Sequence, residues 1–353
     1  MIFYWALFYL VVFLIFLLVF QEINLIHIFE NSETLRVGVF WVLLVFLSLF
    51  VGFFSKSGSV DYDNYVDLLS ENVPANRYEL LTLKDPFFQL IGFILRNSDG
   101  SLIALTFVTA FLSIWIKLKV FSNKYYKNLF GVAVLFLFSR FFLLHEFTQM
   151  RAALGIAFIS IAVLYALEEK PPLMLLMVAL AGLTHLSTVT LLPVILFAYK
   201  TSLRLKQIFV VVLLVVALAL ALVFDVENFS RISPYLTGEY YVTENTLLSF
   251  YFMIKIFVVA ALSFKWRLLN PGLRCALAAT VYGMLLTLVF LQNDVLSLRL
   301  SELTAVFDCI CFAYFFKHVL NINYLHGYYF AFILAGFFFF SATNVVKPLS
   351  LIF

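Results

Sequence analysis

The chain has 353 residues, of which 64% are hydrophobic and only 12% charged, with a formal net charge of +3. Soluble domains carry roughly 25% charged residues, so this composition excludes an ordinary soluble enzyme, and the small net charge on scattered basic residues excludes a nucleic-acid binder. The mean hydropathy of +1.04 and many apolar runs near the ~20 residues that cross a bilayer point to an all-α, polytopic integral membrane protein. Runs such as FYLVVFLIFLLVF lack the alternation of a membrane β-barrel.

In chain order, about twelve spans of bilayer-compatible length are predicted. They cover approximately 2–20, 35–54, 101–118, 129–145, 149–168, 171–184, 187–199, 208–224, 247–264, 275–292, 299–316 and 323–341. The first run starts at Met1 without a basic n-region or a small-residue cleavage site, and reads as a retained helix. Cys275, Cys309 and Cys311 fall inside apolar runs and read as buried thiols, not as disulfides or a metal site. The chain is treated as one domain, 1–353, with outer loops 55–100 and 225–246.

Lysine and arginine in short loops mark the cytoplasmic side. The connections KLKVFSNKYYKN (Lys117, Lys119, Lys124, Lys127), KTSLRLK (Lys200, Arg204, Lys206) and KWRLLNPGLR (Lys265, Arg267, Arg274) are therefore placed inside. The acidic segment 225–246 (Asp225, Glu227, Glu239, Glu244) and the segment 55–100 are placed outside. Within 55–100, DPFFQLIGFIL is too short to span and reads as an interfacial helix. Lys170 and Lys200 must then share the cytoplasmic side. The run between them would be about 43 Å as one helix, too long for one straight crossing and short for two. A hairpin of two short helices satisfies the charge rule, with its turn at Thr184–Ser187 near the outer face and Pro193 shaping the return.

Ionisable groups inside membrane helices are costly and mark candidate sites. On this topology His145, Glu146, Gln149 and Arg151 form the outer turn between spans four and five. Arg140 lies just below that turn and His185 at the hairpin tip. Asp294, Arg299 and Glu302 mark another outer junction, and Asp61 and Asp63 the first outer loop. Segments far apart in sequence thus direct polar groups to one face, as a polar cavity opening outward would. Arginine offers a planar fork of donors suited to phosphate oxygens. A nearby histidine or carboxylate can take a proton from a hydroxyl. Plainer roles stand beside these: Arg151 as an interfacial anchor or partner of Glu146, Arg299 in a salt bridge with Asp294 or Glu302, Arg140 in a structural pair, His185 as a helix cap. Lys255 and Asp308 lie about 12–14 Å below the outer ends of their helices by rise, and are expected to pair or to line the cavity floor. No P-loop, Rossmann fingerprint, zinc spacing or G-x-S-x-G is present.

These motifs, in this order, resemble the EpsG-type, Wzy-like polysaccharide polymerases of bacterial envelopes. The shared features are the D-Y-x-x-Y element (Asp61, Tyr62, Tyr65), the Pro-aromatic DPFFQLIGFIL, the helix start TQMRAALGIAF, the LTHLSTVTLLP stretch and the late SLRLSELTAVF. The order and spacing of Arg151 and the H-x-S of His185 and Ser187 are the most specific.

The resemblance implies a GT-C-like glycosyltransferase acting at the outer face of the bacterial inner membrane. Donor and acceptor would both be glycans on undecaprenyl pyrophosphate, with O-antigen, capsule or exopolysaccharide as product. Neither a cofactor nor a metal is expected, and a chain-length regulator is a possible partner. Arg151 and Arg299, supported by Arg140, would neutralise the pyrophosphate leaving group. His185 or Asp61 would be the base. His145, Glu146, Gln149, Ser187, Tyr62, Tyr65 and Tyr240 would contact substrate, with Tyr235, Tyr240 and Tyr241 available to stack on sugar rings. An O-antigen ligase is disfavoured by the short 225–246 loop. A flippase for lipid-linked glycans is disfavoured by the gathering of polar groups at one face instead of the midplane. An O-acyltransferase is disfavoured by the distance of His185 from the cytoplasm.

Overall fold

The computed structural model describes residues 2–22, 32–71, 85–95, 101–199, 249–290, 294–320, 326–344 and 346–347. The predicted span 208–224, the KTSLRLK connection and the loop 225–246 with Tyr235, Tyr240 and Tyr241 lie outside them. Among the described residues the fold is helical without strands. Among these residues, seven helices are long and apolar enough to cross a membrane. Helices satisfy every backbone group internally, which lipid requires.

The long helices are α1 (Ile2–Glu22), α2 (Ser32–Gly58), α5 (Ser101–Phe121), α6 (Phe130–Phe136, continuing as a π-helix through Leu137–Glu146), α7 (Met150–Leu167), α11 (Pro271–Val289) and α14 (His326–Thr343). Shorter ones are α3 (Tyr62–Glu71), α4 (Pro86–Leu95), α8 (Pro171–Thr184), α9 (Leu192–Ala198), α10 (Phe250–Phe264), α12 (Asp294–Glu302) and α13 (Ala305–Tyr314). The predicted span 299–316 is therefore broken between α12 and α13. Proline opens α4, α8, α9 and α11, where its missing N–H costs no helical bond.

Burial ranks the helices. Of the 127–146 window 89% is buried and of 150–167 83%, against 39% of 2–19. The α6–π segment and α7 are thus the axis of the bundle, and α1 faces its periphery. Small residues make the centre tight: Ala152, Ala153 and Ala157 are buried. A Cβ on Gly155 would stand 2.8 Å from Thr188 Cγ2 and 3.2 Å from His185 Cβ.

The basic connections that fall among the described residues share one end. Tyr126 donates to the Gly272 carbonyl at 3.0 Å, Asn270 to the Tyr125 carbonyl at 3.1 Å and Asn123 to Glu168 at 3.2 Å. These bonds bring together the loops carrying Lys124, Lys170 and Lys265. Lys117 departs from expectation. It is not in the loop but wholly buried within α5, ion-paired with Glu146. Its Cβ tilts toward the helix N-terminus, and its long stem carries the charge away from the basic end.

The hairpin forms. α8 runs from the basic end along α7 to Thr184; His185 is extended (φ −159°, ψ 106°), and a 3₁₀ turn Leu186–Leu191 leads into α9. The return direction is set by α11. Tyr282 donates to the Thr190 carbonyl at 2.9 Å, Cys275 Sγ lies 4.0 Å from the Val194 carbonyl, and Phe197 meets Trp266 at the basic end. Later residues of the return (Thr190, Val194, Phe197) meet successively earlier residues of α11 and the turn before it (Tyr282, Cys275, Trp266), so α9 runs back. α4 packs against α5 and α8, with Phe87 against Phe158.

Candidate functional site

The site is built around the elbow between the π-helix and α7. Here the backbone bonds span five residues: the Phe147 N–H reaches the Phe142 carbonyl at 3.0 Å, and that of Gln149 reaches Leu144 at 3.2 Å. This wider turn, a geometry uncommon outside functional sites, directs Arg140 and His145 toward α12 and Glu146 toward α5. α5 and α7 descend side by side, since Thr109 faces Met150 and Ser113 donates to the Ala153 carbonyl at 3.0 Å. α5 begins at Ser101, so it rises about 12 Å above the Met150 level by helix rise. The elbow is recessed beside it.

Tyr65 of α3 staples the elbow. Its hydroxyl donates to the Thr148 carbonyl and accepts from the Met150 N–H, each at 2.9 Å. Burial pushes the Tyr65 phenol up to about 12, so it stays a donor and is no base. Arg151, one residue past Met150, lies with its guanidinium carbon 5.8 Å from the Tyr65 ring centre and its Nη1 2.6 Å from Asp85 Oδ2. Arg151 and Gly155 are four residues apart on α7 and share a face. His185 packs on Gly155, so the hairpin tip sits one turn below Arg151.

On the opposite flank, Glu302 of α12 lies 3.8 Å from His145 Nε2 and 4.0 Å from Arg140 Nη2. Arg140 also lies 5.0 Å over the ring of Tyr251. Tyr251 donates at 2.7 Å to Asp308, which pairs with Lys255 at 2.8 Å. Lys255 donates at 3.2 Å to the hydroxyl of Thr304. Ser113 joins the Lys117–Glu146 pair at 3.2 Å. Arg140 Nε, His145 Nδ1 and Glu146 Oε2 are buried without a hydrogen-bond partner among the described residues. Such atoms cost energy unless water or substrate satisfies them.

A family model described as the EpsG family matches residues 38–352. The chain belongs to the EpsG family. It is accordingly a polysaccharide polymerase, an enzyme, and by its apolar helices a multi-pass membrane protein. No curated protein and no solved structure matches it.

Set on this EpsG-family scaffold, the residues named from sequence separate into groups. Arg151, Tyr65, Gln149 and His185 gather at the elbow and hairpin tip. Gln149 ends the π turn and its carbonyl accepts from Ala153. Ser187 lies in the 3₁₀ turn, where its carbonyl accepts the Thr190 hydroxyl at 2.7 Å. Tyr62 is buried and Asp61 half-buried at the start of α3, with Asn64 donating to Asp61 at 3.4 Å. Arg140 and His145 form the second cluster, and Arg299 adds to the positive field at Glu302. Tyr240 falls outside the described residues.

Two pairings weighed from sequence are replaced. Glu146 pairs with Lys117 and not Arg151. Glu302 meets Arg140 and His145 instead of bridging to Arg299. The polar groups pack largely against one another. Lys255 and Asp308 pair as expected. Asp85, Tyr251 and Lys117 were not assigned to the site from sequence. Asp85 stands within the quoted DPFFQLIGFIL, but a pre-proline aspartate reads as turn chemistry, and nothing local announces a partner 66 residues away.

Proposed function

We propose that this enzyme extends a polysaccharide by moving the growing glycan from undecaprenyl pyrophosphate onto the non-reducing end of a new lipid-linked repeat unit. The observation that carries the reading is the stacking of Arg151 over His185 along one face of α7, at the bundle end remote from the basic connections. The positive-inside rule makes that end the outer face of the plasma membrane. The full chain, with about twelve crossings of bilayer-spanning type, would be GT-C-like.

The chemistry follows from the residues. When the anomeric carbon–oxygen bond to the carrier breaks, negative charge develops on the pyrophosphate. Arg151 is positioned to neutralise it, and Arg299 with Arg140 supplies positive charge across the elbow. The acceptor hydroxyl must lose a proton as it attacks. His185 is the nearer candidate base, on the Arg151 face, and Asp61 is the alternative at the head of α3. Bilayer contact holds both carriers, and no metal enters the scheme.

The test is an assay with purified protein and one lipid-linked repeat unit, with and without chelator. A ladder of longer products that persists in chelator supports the reading. Transbilayer movement of unchanged substrate, with no ladder, would replace it by a flippase. Transfer only to a foreign acceptor would replace it by a ligase.

A further inference from the structure

Asp85 combines three features. It has a φ of 56°, one of two non-glycine residues with positive φ among the described residues, and it directly precedes Pro86. Its side chain is 4% exposed while that of its partner Arg151 is 21% exposed. Its carbonyl accepts the Gln89 N–H at 3.1 Å and so opens α4. A left-handed backbone suits glycine best and, among other residues, is tolerated mainly by asparagine and aspartate, at some cost. Strain of this kind persists where surrounding structure over-determines it and clusters at functional sites. Here a charged side chain is kept at a position whose backbone glycine would serve better.

The contact explains what the carboxylate does. Asp85 takes the Nη1 end of the Arg151 guanidinium at 2.6 Å, and the Tyr65 ring flanks the same group at 5.8 Å. Tyr65 is itself held by the elbow backbone and packs on Phe88, three residues past Asp85, with ring centres 5.6 Å apart. The guanidinium is thus fixed at one end and flanked by a ring. The carboxylate is buried while the arginine it holds is partly exposed. The other edge of the plane, Nε with Nη2, has the parallel donor geometry that fits two oxygens of a phosphate.

We infer that Asp85 is a positioning residue that fixes the guanidinium plane of Arg151, so that its Nε–Nη2 edge meets the pyrophosphate of the lipid carrier. The inference rests on the reading of Arg151 given above. It assigns Asp85 no contact with substrate. Its carboxylate costs some anion attraction and contributes direction, because an untethered arginine side chain samples many rotamers.

The experiment measures undecaprenyl pyrophosphate binding to the purified full chain in nanodiscs, with unfolding temperature recorded for each variant. Asp85→Gly removes the carboxylate and relieves the backbone, while the Arg151 guanidinium it leaves is partly exposed and can turn to solvent, so the variant should stay folded at the assay temperature yet bind about tenfold or more weakly, the loss expected for a hydrogen bond between charged groups. Asp85→Asn keeps the acceptor and tolerates the backbone, and should recover most of that affinity. Binding by Asp85→Gly as tight as wild type or tighter overturns the inference. So does weakening that is matched by loss of folded protein at the assay temperature, and so does an Asp85→Asn variant as weak as Asp85→Gly. Arg151→Ala separates the two readings. If it binds like wild type, the role of Arg151 fails and this inference with it; if it is weak while Asp85→Gly is normal, only the inference about Asp85 fails.

Discussion

Lys255 Nζ stands 2.8 Å from Asp308 Oδ2, with neither side chain exposed. Tyr251 and Thr304 complete the hydrogen bonds around them. Breaking a buried pair by removing one partner typically costs about 3–5 kcal/mol, because the survivor is left charged and unsolvated. Lys255→Met should therefore lower the unfolding temperature sharply. Adding Asp308→Asn should recover much of that loss, since the stranded charge is gone and Tyr251 keeps an acceptor. Additive losses in a denaturation series of the single and double variants would show that the two charges act independently.

On the proposed chemistry, the planar fork of Arg151 should matter more than its charge. Lysine keeps the charge but supplies no bidentate edge. Arg151→Lys should lower kcat by roughly a hundredfold, the scale of one lost charge-stabilising donor. Arg151→Ala and His185→Ala should leave single-repeat glycan in place of polymer. Gel analysis of glycan from cells carrying each variant reads this directly, and wild-type chain length in either alanine variant would remove the residue from the proposed chemistry.

Gly155 is the contact through which α7 places the hairpin tip. A methyl group there meets Thr188 Cγ2 at 2.8 Å and His185 Cβ at 3.2 Å. Alanine favours the helix by about 1 kcal/mol, while overpacking costs about 1–3 kcal/mol. Gly155→Ala should consequently change stability little and activity strongly, by moving His185 relative to Arg151. Retained activity in the polymer assay would show that the spacing of these two residues is not critical.

Tyr65 provides a pH test. Its phenol, near 10 in an unfolded chain, is held at about 12 by burial. The raised value means that its stabilising contribution is complete below pH 10 and is lost as pH rises from 10 toward 12. Tyr65→Phe leaves the Thr148 carbonyl and Met150 N–H unsatisfied, at a cost of about 1–3 kcal/mol. The gap in unfolding temperature between wild type and Tyr65→Phe should be widest near neutral pH and should narrow above pH 10. A gap independent of pH would place the ionisation elsewhere.

Sidedness is open to direct labelling, because Cys275, Cys309 and Cys311 are all buried. In intact cells an impermeant thiol reagent should modify Asn64→Cys and spare Lys124→Cys. The reverse pattern would invert the topology.

The helical membrane class was legible because lipid leaves a chain few choices. Apolar runs of sufficient length must form helices, and charge bias orders their ends. Even the break at His185 followed from arithmetic: residues 171–199 had to return to the side they left, and Tyr282, Cys275 and Trp266 mark that return. Arg151 and His185 also stood out, since ionisable groups among apolar helices are costly, but an interfacial anchor and a helix cap were equally open to them.

Pairing was not legible. Lys117 reads as one more lysine of a basic loop, yet its stem carries it to Glu146, and Glu302 sits three residues from Arg299 but meets Arg140 and His145. Sequence by itself determined that many apolar segments could cross, which connections are basic, and which polar residues are expensive enough to need a reason. Only the tertiary structure decided which charge neutralises which. In a low-dielectric bundle that choice depends on a few ångströms of approach, set here by a π-helical turn, by small residues on α7, and by the strained backbone of Asp85.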